Sequence, residues 1–256
     1  MNHEFSMEDD GFTRVWRSKK QRTAGGAAAS TGPRKTAPCT MRVDGDTHDV
    51  DTTMRRARER MEHEREMVAW TQRELERALR GRPLTQVLIL GNGNFDGPLE
   101  PGAVQLTLAL RMAESFPSAS VHFQDPQCSA VECAWLEEKG VRVRRQTDMQ
   151  PPEMNDESGC RLVFFVHNPH GLMEKLLSSE WKSGGTARTV LVCNDYGGWT
   201  EEEFEGAIDG RMPASREFVG KAKIRRLPSF EPFPFAFHDT AMIYLEEDAQ
   251  LTDTVE

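Results

Sequence analysis

The sequence predicts an α/β fold: a Rossmann-like three-layer sandwich with a mostly parallel sheet in the order 3-2-1-4-5, joined by an N-terminal helix and a C-terminal strand. Three observations carry this expectation. Between residues 83 and 193, short apolar runs alternate with helical patterns over short connections, and right-handed crossovers of that kind build parallel sheets. Three of the runs, "TQVLIL" (85–90), "RLVFFV" (161–166) and "TVLVC" (189–193), show little alternation, as strands buried on both faces do. Polar clusters fall where the runs stop, on the rim where open α/β sheets take their ligands.

The elements follow in chain order. Residues 1–52 read as a tail: "SKKQRTAGGAAASTGPRKTAP" has no apolar periodicity and cannot offset the entropy of ordering. Within it, the basic block "RSKKQR" stands beside Trp16. From 53 to 82 the chain reads as one charged amphipathic helix ending at Gly81, with Met54, Met61, Val68, Leu75 and Leu79 close to one stripe that packs on the body. Its arginines alternate with glutamates, which cancel the field and favour i,i+4 pairs over nucleic acid.

The α/β domain spans 83–246. The first strand, 85–90, stops at "GNGNFDG". A helix follows with Ala103, Leu106, Leu110 and Ala113 on one face. "SVHFQDP" (120–126) is a second strand ending in Asp125. Ser129 and Glu132 have capping-box spacing, and Gly140 stops the helix they open. "VRVRR" (141–145) is a third, peripheral strand, and 146–159 a polar loop. "RLVFFV" is the fourth strand, and "HGLMEKLLSSEW" a helix packing through Leu172, Leu176 and Leu177. The fifth strand is 189–193. Beyond it come a short acidic helix in "TEEEFEGAIDG", a small basic strand or surface run "KAKIRR" (221–226), and a proline- and phenylalanine-rich approach to a last strand, 241–245. Phe230, Phe233, Phe235 and Phe237 of that approach fit the core or a wrap over the sheet edge better than a pocket lining. Residues 247–256 form an acidic tail.

Composition excludes several classes. Of 256 residues, 38% are apolar and 29% charged, with a formal net charge of -9. That balance gives no general pull toward nucleic acid or an anionic membrane, and no run nears eighteen apolar residues. The five cysteines are scattered, and the N-terminus lacks the basic-then-apolar order of a secretory signal. Reduced thiols in a cytoplasmic protein are expected, with the basic tail as a route to the nucleus. Cys128 and Cys133 have no second pair with which to hold a metal.

If strands one and four lie side by side at the topological switch, "GNGN" and "HNPH" share a crevice, with Asp125 and Asn194–Asp195 on the same rim. Each cluster has two readings. Gly91, Asn92, Gly93 and Asn94 can bind a nucleotide or simply turn the chain; Asp96 stands where a dinucleotide loop has its third glycine and would repel a pyrophosphate. Asp125 can accept from a ribose hydroxyl or form an Asx turn before Pro126. His167 and His170 can contact a ligand or close a turn. No G-x-S-x-G elbow and no H-E-x-x-H motif accompanies them, and no catalytic residue is assigned.

Several of these stretches together resemble a known family, "sensitivity to red light reduced": "LILGNGNF" (88–95) with Gln105, "QDPQCSAVECAWLEEKGVRV" (124–143), "FFVHNPHGLMEKLLSSEW" (164–181), "LVCNDYGG" (191–198) and "FAFHDTAMIYL" (235–245). Cys193 and Asp195 depart from the Gly-Asn-Ser usual in the family. The resemblance implies a regulatory protein, associated in relatives with haem biosynthesis and circadian clock-gene expression. The alternative is an enzyme binding a nucleotide-like ligand or cofactor at the carboxyl edge of the sheet. It marks Gln105, Asp125, His170, Asn194 and Asp239 as family-pattern positions without a known role. Candidate site residues are therefore Gly91, Asn92, Gly93, Asn94, Gln105, Asp125, His167, His170, Asn194 and Asp239. No bound haem or metal is expected; a protein partner or small-molecule ligand is.

Overall fold

The computed structural model describes residues 44–97, 101–144, 152, 154, 158–182, 185–207 and 210–246. Of the tail expected at 1–52, residues 1–43 lie outside these residues, as do the tail expected at 247–256 and most of the 146–159 loop, whereas a helix already begins at Thr47 and buries Val50. The elements are helices α1 (Thr47–His63) and α2 (Arg65–Leu79), strand β1 (Leu84–Leu90), α3 (Gly102–Glu114), β2 (Ser120–Gln124), α4 (Ala130–Glu138), β3 (Arg142–Val143), β4 (Cys160–Phe164), α5 (His170–Lys182), β5 (Thr189–Asn194), α6 (Glu201–Glu205), α7 (Pro213–Lys221), β6 (Ala222–Arg226) and β7 (Thr240–Leu245). Short 3-10 turns occupy Thr186–Arg188 and Pro234–Ala236.

One seven-stranded sheet runs in the order β3-β2-β1-β4-β5-β7-β6. Pairing is parallel from β3 through β5, with Val87 opposite Leu162 in the central β1–β4 pair. The expected 3-2-1-4-5 order is present. It continues into two strands that pair antiparallel, β7 against β5 and β6 against β7. β1 and β4 are neighbours whose crossovers leave in opposite directions, which makes their carboxyl ends the switch point.

The central strands β1, β4, β5 and β7 are buried on both faces, and alternate residues enter two separate cores. Val87, Ile89, Leu162, Phe164, Val190, Val192 and Met242 face α1 to α4. Leu88, Leu90, Val163, Leu191, Cys193 and Ile243 face α5 to α7, meeting Met173, Leu176, Leu177 and Phe218. Two apolar faces on one strand explain the unbroken apolar runs.

Two elements differ from the sequence expectation. The single helix of 53–82 is two helices, broken at Glu64, whose backbone leaves the helical region at φ -104 and ψ 45. A straight helix drifts about 20° per heptad off a seven-residue stripe. After Met54 and Met61, the break brings Met67 into the core and leaves Val68 only partly covered. The second difference is α7, which the sequence reading passed over. Pro213 opens it, and only Ala214, Ser215 and Phe218 are buried. Among the described residues no helix is long and apolar enough to cross a membrane.

Candidate functional site

The carboxyl edge is organised around Asn168. Its Nδ2 donates to the carbonyl oxygens of Leu90 (3.1 Å), Gly91 (3.2 Å) and Val166 (3.3 Å), tying the end of β1 to the end of β4. Its own carbonyl accepts from Asn194 Nδ2 at the end of β5, 3.0 Å away. Gly91 must approach this amide closely: a Cβ there would stand 1.9 Å from Asn168 Oδ1, on a backbone already at φ 53. Gly93 also has positive φ, 74, with open space where a side chain would go.

The turn after β1 is held by two carboxylates. Asp125 Oδ2 accepts from Gly93 N (2.7 Å) and Oδ1 from Gln127 N (2.7 Å), so the residue forms the Asx turn and clamps the glycine turn at once. Glu132, fully buried, caps its own helix by accepting from Ser129 N (2.8 Å). It also accepts from Asn94 Nδ2 (2.9 Å), Asp96 N (3.1 Å) and Phe95 N. Four N–H donors converge on one carboxylate, which supplies what a buried anion requires. Asp96 in turn accepts from Gly45 N (2.8 Å), joining the turn to the start of α1.

Two polar atoms at this edge are buried without a hydrogen-bond partner among the described residues: Asn92 Oδ1 and Asn194 Oδ1. Asn92 Nδ2 is occupied by the carbonyls of Gly93 (3.0 Å) and Gly102 (3.1 Å). Asn92 follows β1, and Asn194 closes β5.

A second group flanks the first. Gln105 Nε2, from α3, donates to the Ala236 carbonyl (2.8 Å) and lies 3.4 Å from His167 Nδ1. His167 Nε2 is 2.8 Å from the carbonyl of His238. A carbonyl only accepts, so the proton sits on Nε2 and Nδ1 takes the Gln105 amide. Although His167 keeps an exposed side, crowding of its ring holds the pKa below the ordinary imidazole range, against the pull of the His238 carbonyl. His167 and Asp239 are both left-handed, at φ 58 and φ 49. The Asp239 carbonyl accepts from Asp195 N (2.7 Å), while its carboxylate meets His238 at the surface (2.9 Å).

His170 belongs elsewhere. It opens α5, with Nδ1 3.0 Å from Tyr196 Oη and its ring edge-on to Tyr196 and Trp199, centroids 5.7 and 4.7 Å apart. Phe230 and Phe237 are buried and meet edge to face, whereas Phe235 is 73% exposed. Thus Gly91, Asn92, Gly93, Asn94, Asp125 and Asn194 share one hydrogen-bonded group, Gln105, His167 and Asp239 border it, and His170 joins an aromatic cluster. The sequence expectation left out Asn168, and it gave Glu132 a capping role and a place in the family pattern but none in holding the glycine turn. Asn168 lay inside a quoted motif, but nothing local says that its amide spans two strands.

Burial raises the thiol pKa of Cys160 and Cys193, and holds the Cys128 thiol protonated with help from the neighbouring Cys133, Glu132 and Asp125. Among the described residues no three His, Cys, Asp or Glu side chains are grouped to hold a metal.

No curated protein matches the chain. Solved structures resemble it loosely. A dimethyltransferase acting on 8-amino-8-demethyl-D-riboflavin from Streptomyces davawensis is 14% identical at a TM-score of 0.34, over 64% of this chain and 50% of that one. A putative S-adenosyl-L-methionine-dependent methyltransferase from Methanococcus maripaludis is 9% identical at 0.38, over 84% of this chain and 100% of the other. The plantazolicin methyltransferase BpumL, in complex with a monoazolic desmethylPZN analog and SAH, is 12% identical at 0.37, over 78% and 90%. The chain spans about half the length of the first of these, and scores of this size carry nothing about activity. The SRR1 domain model, by contrast, matches residues 69–244, from within α2 almost to the end of β7. With most of the chain inside that match, including every element that builds the carboxyl edge, the protein belongs to the SRR1, or sensitivity to red light reduced, domain family.

Proposed function

We propose that this protein binds a small nucleoside-like ligand or cofactor at the carboxyl edge of its sheet, where β1 and β4 part. The observation that supports this most is the pair of buried, unpartnered carbonyl oxygens, Asn92 Oδ1 and Asn194 Oδ1, at the ends of β1 and β5 beside the switch point. A buried acceptor left unpaired costs about 1–3 kcal/mol, and a ligand donor such as a sugar hydroxyl or an exocyclic amine removes that cost. Asp96 at the third-glycine position, with Asp125 and Glu132 behind the turn, disfavours a pyrophosphate. An uncharged or cationic ligand suits such an edge better.

The role served is regulatory: the family resemblance supports regulation of haem biosynthesis and of clock-gene expression, with ligand occupancy as the input. An enzyme using the same ligand as a cofactor is the second reading, favoured by the neutral His167 held beside the turn with a defined tautomer.

A thermal-shift panel of adenosine, S-adenosylmethionine, S-adenosylhomocysteine, NAD, a flavin and haem tests the binding, followed by calorimetry on hits. A nucleoside-like ligand is expected to raise Tm, and Asn92→Ala and Asn194→Ala each to weaken it about tenfold, the worth of one hydrogen bond near 1.4 kcal/mol. A panel without shifts, or affinities unchanged in both variants, rejects the site. Product formation from a hit would decide for the enzyme.

A further inference from the structure

The corner between β2 and α4 carries two thiols that neither the family nor the proposed ligand accounts for. Cys128 immediately precedes the N-cap Ser129, and Cys133 is the fourth residue of α4. Side chains at these two positions commonly pack across a helix start. Here Cys133 Sγ lies 3.1 Å from Cys128 Sγ, and neither is bonded. A disulfide spans about 2.05 Å, so about 1 Å of approach closes the pair. Cys133 is 5% exposed and Cys128 half-buried, whereas Cys160 and Cys193 are fully enclosed in β4 and β5. Of the four described thiols, Cys128 is therefore the one an oxidant in solution meets first.

The same corner holds the glycine turn. Asp125 binds Gly93 N, the Gln127 carbonyl accepts from Asn94 Nδ2 (2.8 Å), and Glu132, one residue before Cys133, binds Asn94, Phe95 and Asp96. Cys128 N donates to the Asp125 carbonyl (3.3 Å). A bond from 128 to 133 would enclose the N-cap and Glu132 in one short covalent loop.

We propose that Cys128 and Cys133 form a reversible intrachain disulfide, driven by an oxidant of the glutathione-disulfide class, that locks this corner and with it the turn after β1. Cys128 loses its proton and attacks one sulfur of glutathione disulfide, which releases one glutathione and leaves a mixed disulfide. Cys133 then loses its proton and attacks Cys128 Sγ, releasing the second glutathione. Two thiols are oxidised by two electrons, one glutathione disulfide is reduced to two glutathione thiols, and the two protons pass to them. Burial, the neighbouring Cys133 and the adjacent carboxylates of Glu132 and Asp125 keep the Cys128 thiol protonated, so exchange is slow at neutral pH and accelerates with alkali. That the lock acts on ligand binding rests on the function proposed above; the disulfide itself does not.

The test equilibrates the full chain in glutathione buffers of increasing oxidising ratio at pH 8, then applies acid quenching, alkylation and peptide mass spectrometry. Cys128 and Cys133 are expected to lose alkylation together, in a peptide two hydrogens lighter that dithiothreitol reverses. Cys133→Ser should trap Cys128 as its glutathione adduct, and Cys128→Ser should leave Cys133 alkylatable. Amide exchange at 93–97 and 125–133 should slow in the oxidised wild-type chain. Both thiols still free at the most oxidising ratio, or a glutathione adduct persisting on wild-type Cys128, overturns the disulfide. A disulfide with unchanged exchange at 93–97 overturns the lock. These readouts need no ligand, so a failed ligand panel leaves them intact.

Discussion

Gly91 and Gly93 stand two residues apart in one turn, yet a side chain would meet different surroundings at each. At Gly91 a Cβ collides with the Asn168 amide that joins three carbonyls, and the backbone is left-handed. Gly91→Ala should cost about 2–4 kcal/mol, the strain plus the displaced hydrogen bonds. Gly93→Ala meets open space and should cost only about 1–2 kcal/mol, for φ alone. Urea unfolding of the two variants checks the ranking. His167 makes a prediction about pH. Its folded pKa, like that of His122, lies below the ordinary imidazole range, first because protein crowded around the ring disfavours the charged form. Between the folded and unfolded values the unfolded chain binds more protons, so stability falls as pH drops through about 6.5. The urea midpoint should therefore decline from pH 7.5 to 5.5. In NMR, the His167 ring should titrate below the ordinary value. An upward shift would contradict the carbonyl-bound neutral ring. The two glycines and the histidine pair were visible in the sequence as types, but the partner that gives each its role is not local.

At the scale of elements, the amino-terminal end of the sheet is fastened by a buried network of its own. Arg161 of β4 is 2% exposed and meets Glu180 of α5, Gln86 Oε1 of β1 (2.6 Å) and the Pro152 carbonyl, while Glu180 Oε2 accepts from Thr189 Oγ1 of β5 (3.2 Å). Three adjacent strands and a helix are joined through one buried ion pair. Glu180→Ala leaves the guanidinium buried without its counter-charge and should cost about 3–5 kcal/mol. The double change Arg161→Met with Glu180→Leu should cost clearly less, since it buries no unpaired charge. A denaturation series of single and double variants measures the difference. In the sequence Arg161 reads as the flank of an apolar run; its burial depends on Glu180, nineteen residues away. Some element signals were plain, among them the Ser129–Glu132 capping box, present on both sides in the structure. Others were too weak: α7 buries few residues and contains Gly220, and the break at Glu64 falls inside an unbroken run of helix formers.

For the whole molecule, the family match begins at residue 69, but the core does not. Val50, Met54 and Met61 of α1 are at most 2% exposed against α3 and α4, and Trp135 of α4 donates to Asp51 Oδ1 (2.8 Å). Each of these apolar side chains is worth about 1.5–3 kcal/mol, a large share of a total stability near 5–15 kcal/mol. A chain starting at residue 69 should lose cooperative unfolding or aggregate, as scanning calorimetry and light scattering against the full chain will show. An unchanged Tm would place α1 outside the folding unit.

The amino-acid order alone determined the α/β class, the central strands and the edge on which the polar residues gather, which follow from local periodicity, from the handedness of crossovers and from where apolar runs end. The 3-2-1-4-5 order was expected only as the commonest arrangement for such an alternation, and the strand pairing established it. Tertiary structure decided which polar groups cooperate. It showed Asp125 and Glu132 spent on holding the glycine turn, Asn168 bridging β1 and β4, and His170 turned to an aromatic cluster away from that turn. It also left the side-chain oxygens of Asn92 and Asn194 without a partner among the described residues. A hydrogen bond between strand ends joins residues far apart in the chain, and its distance and angle exist only once the sheet has set them side by side.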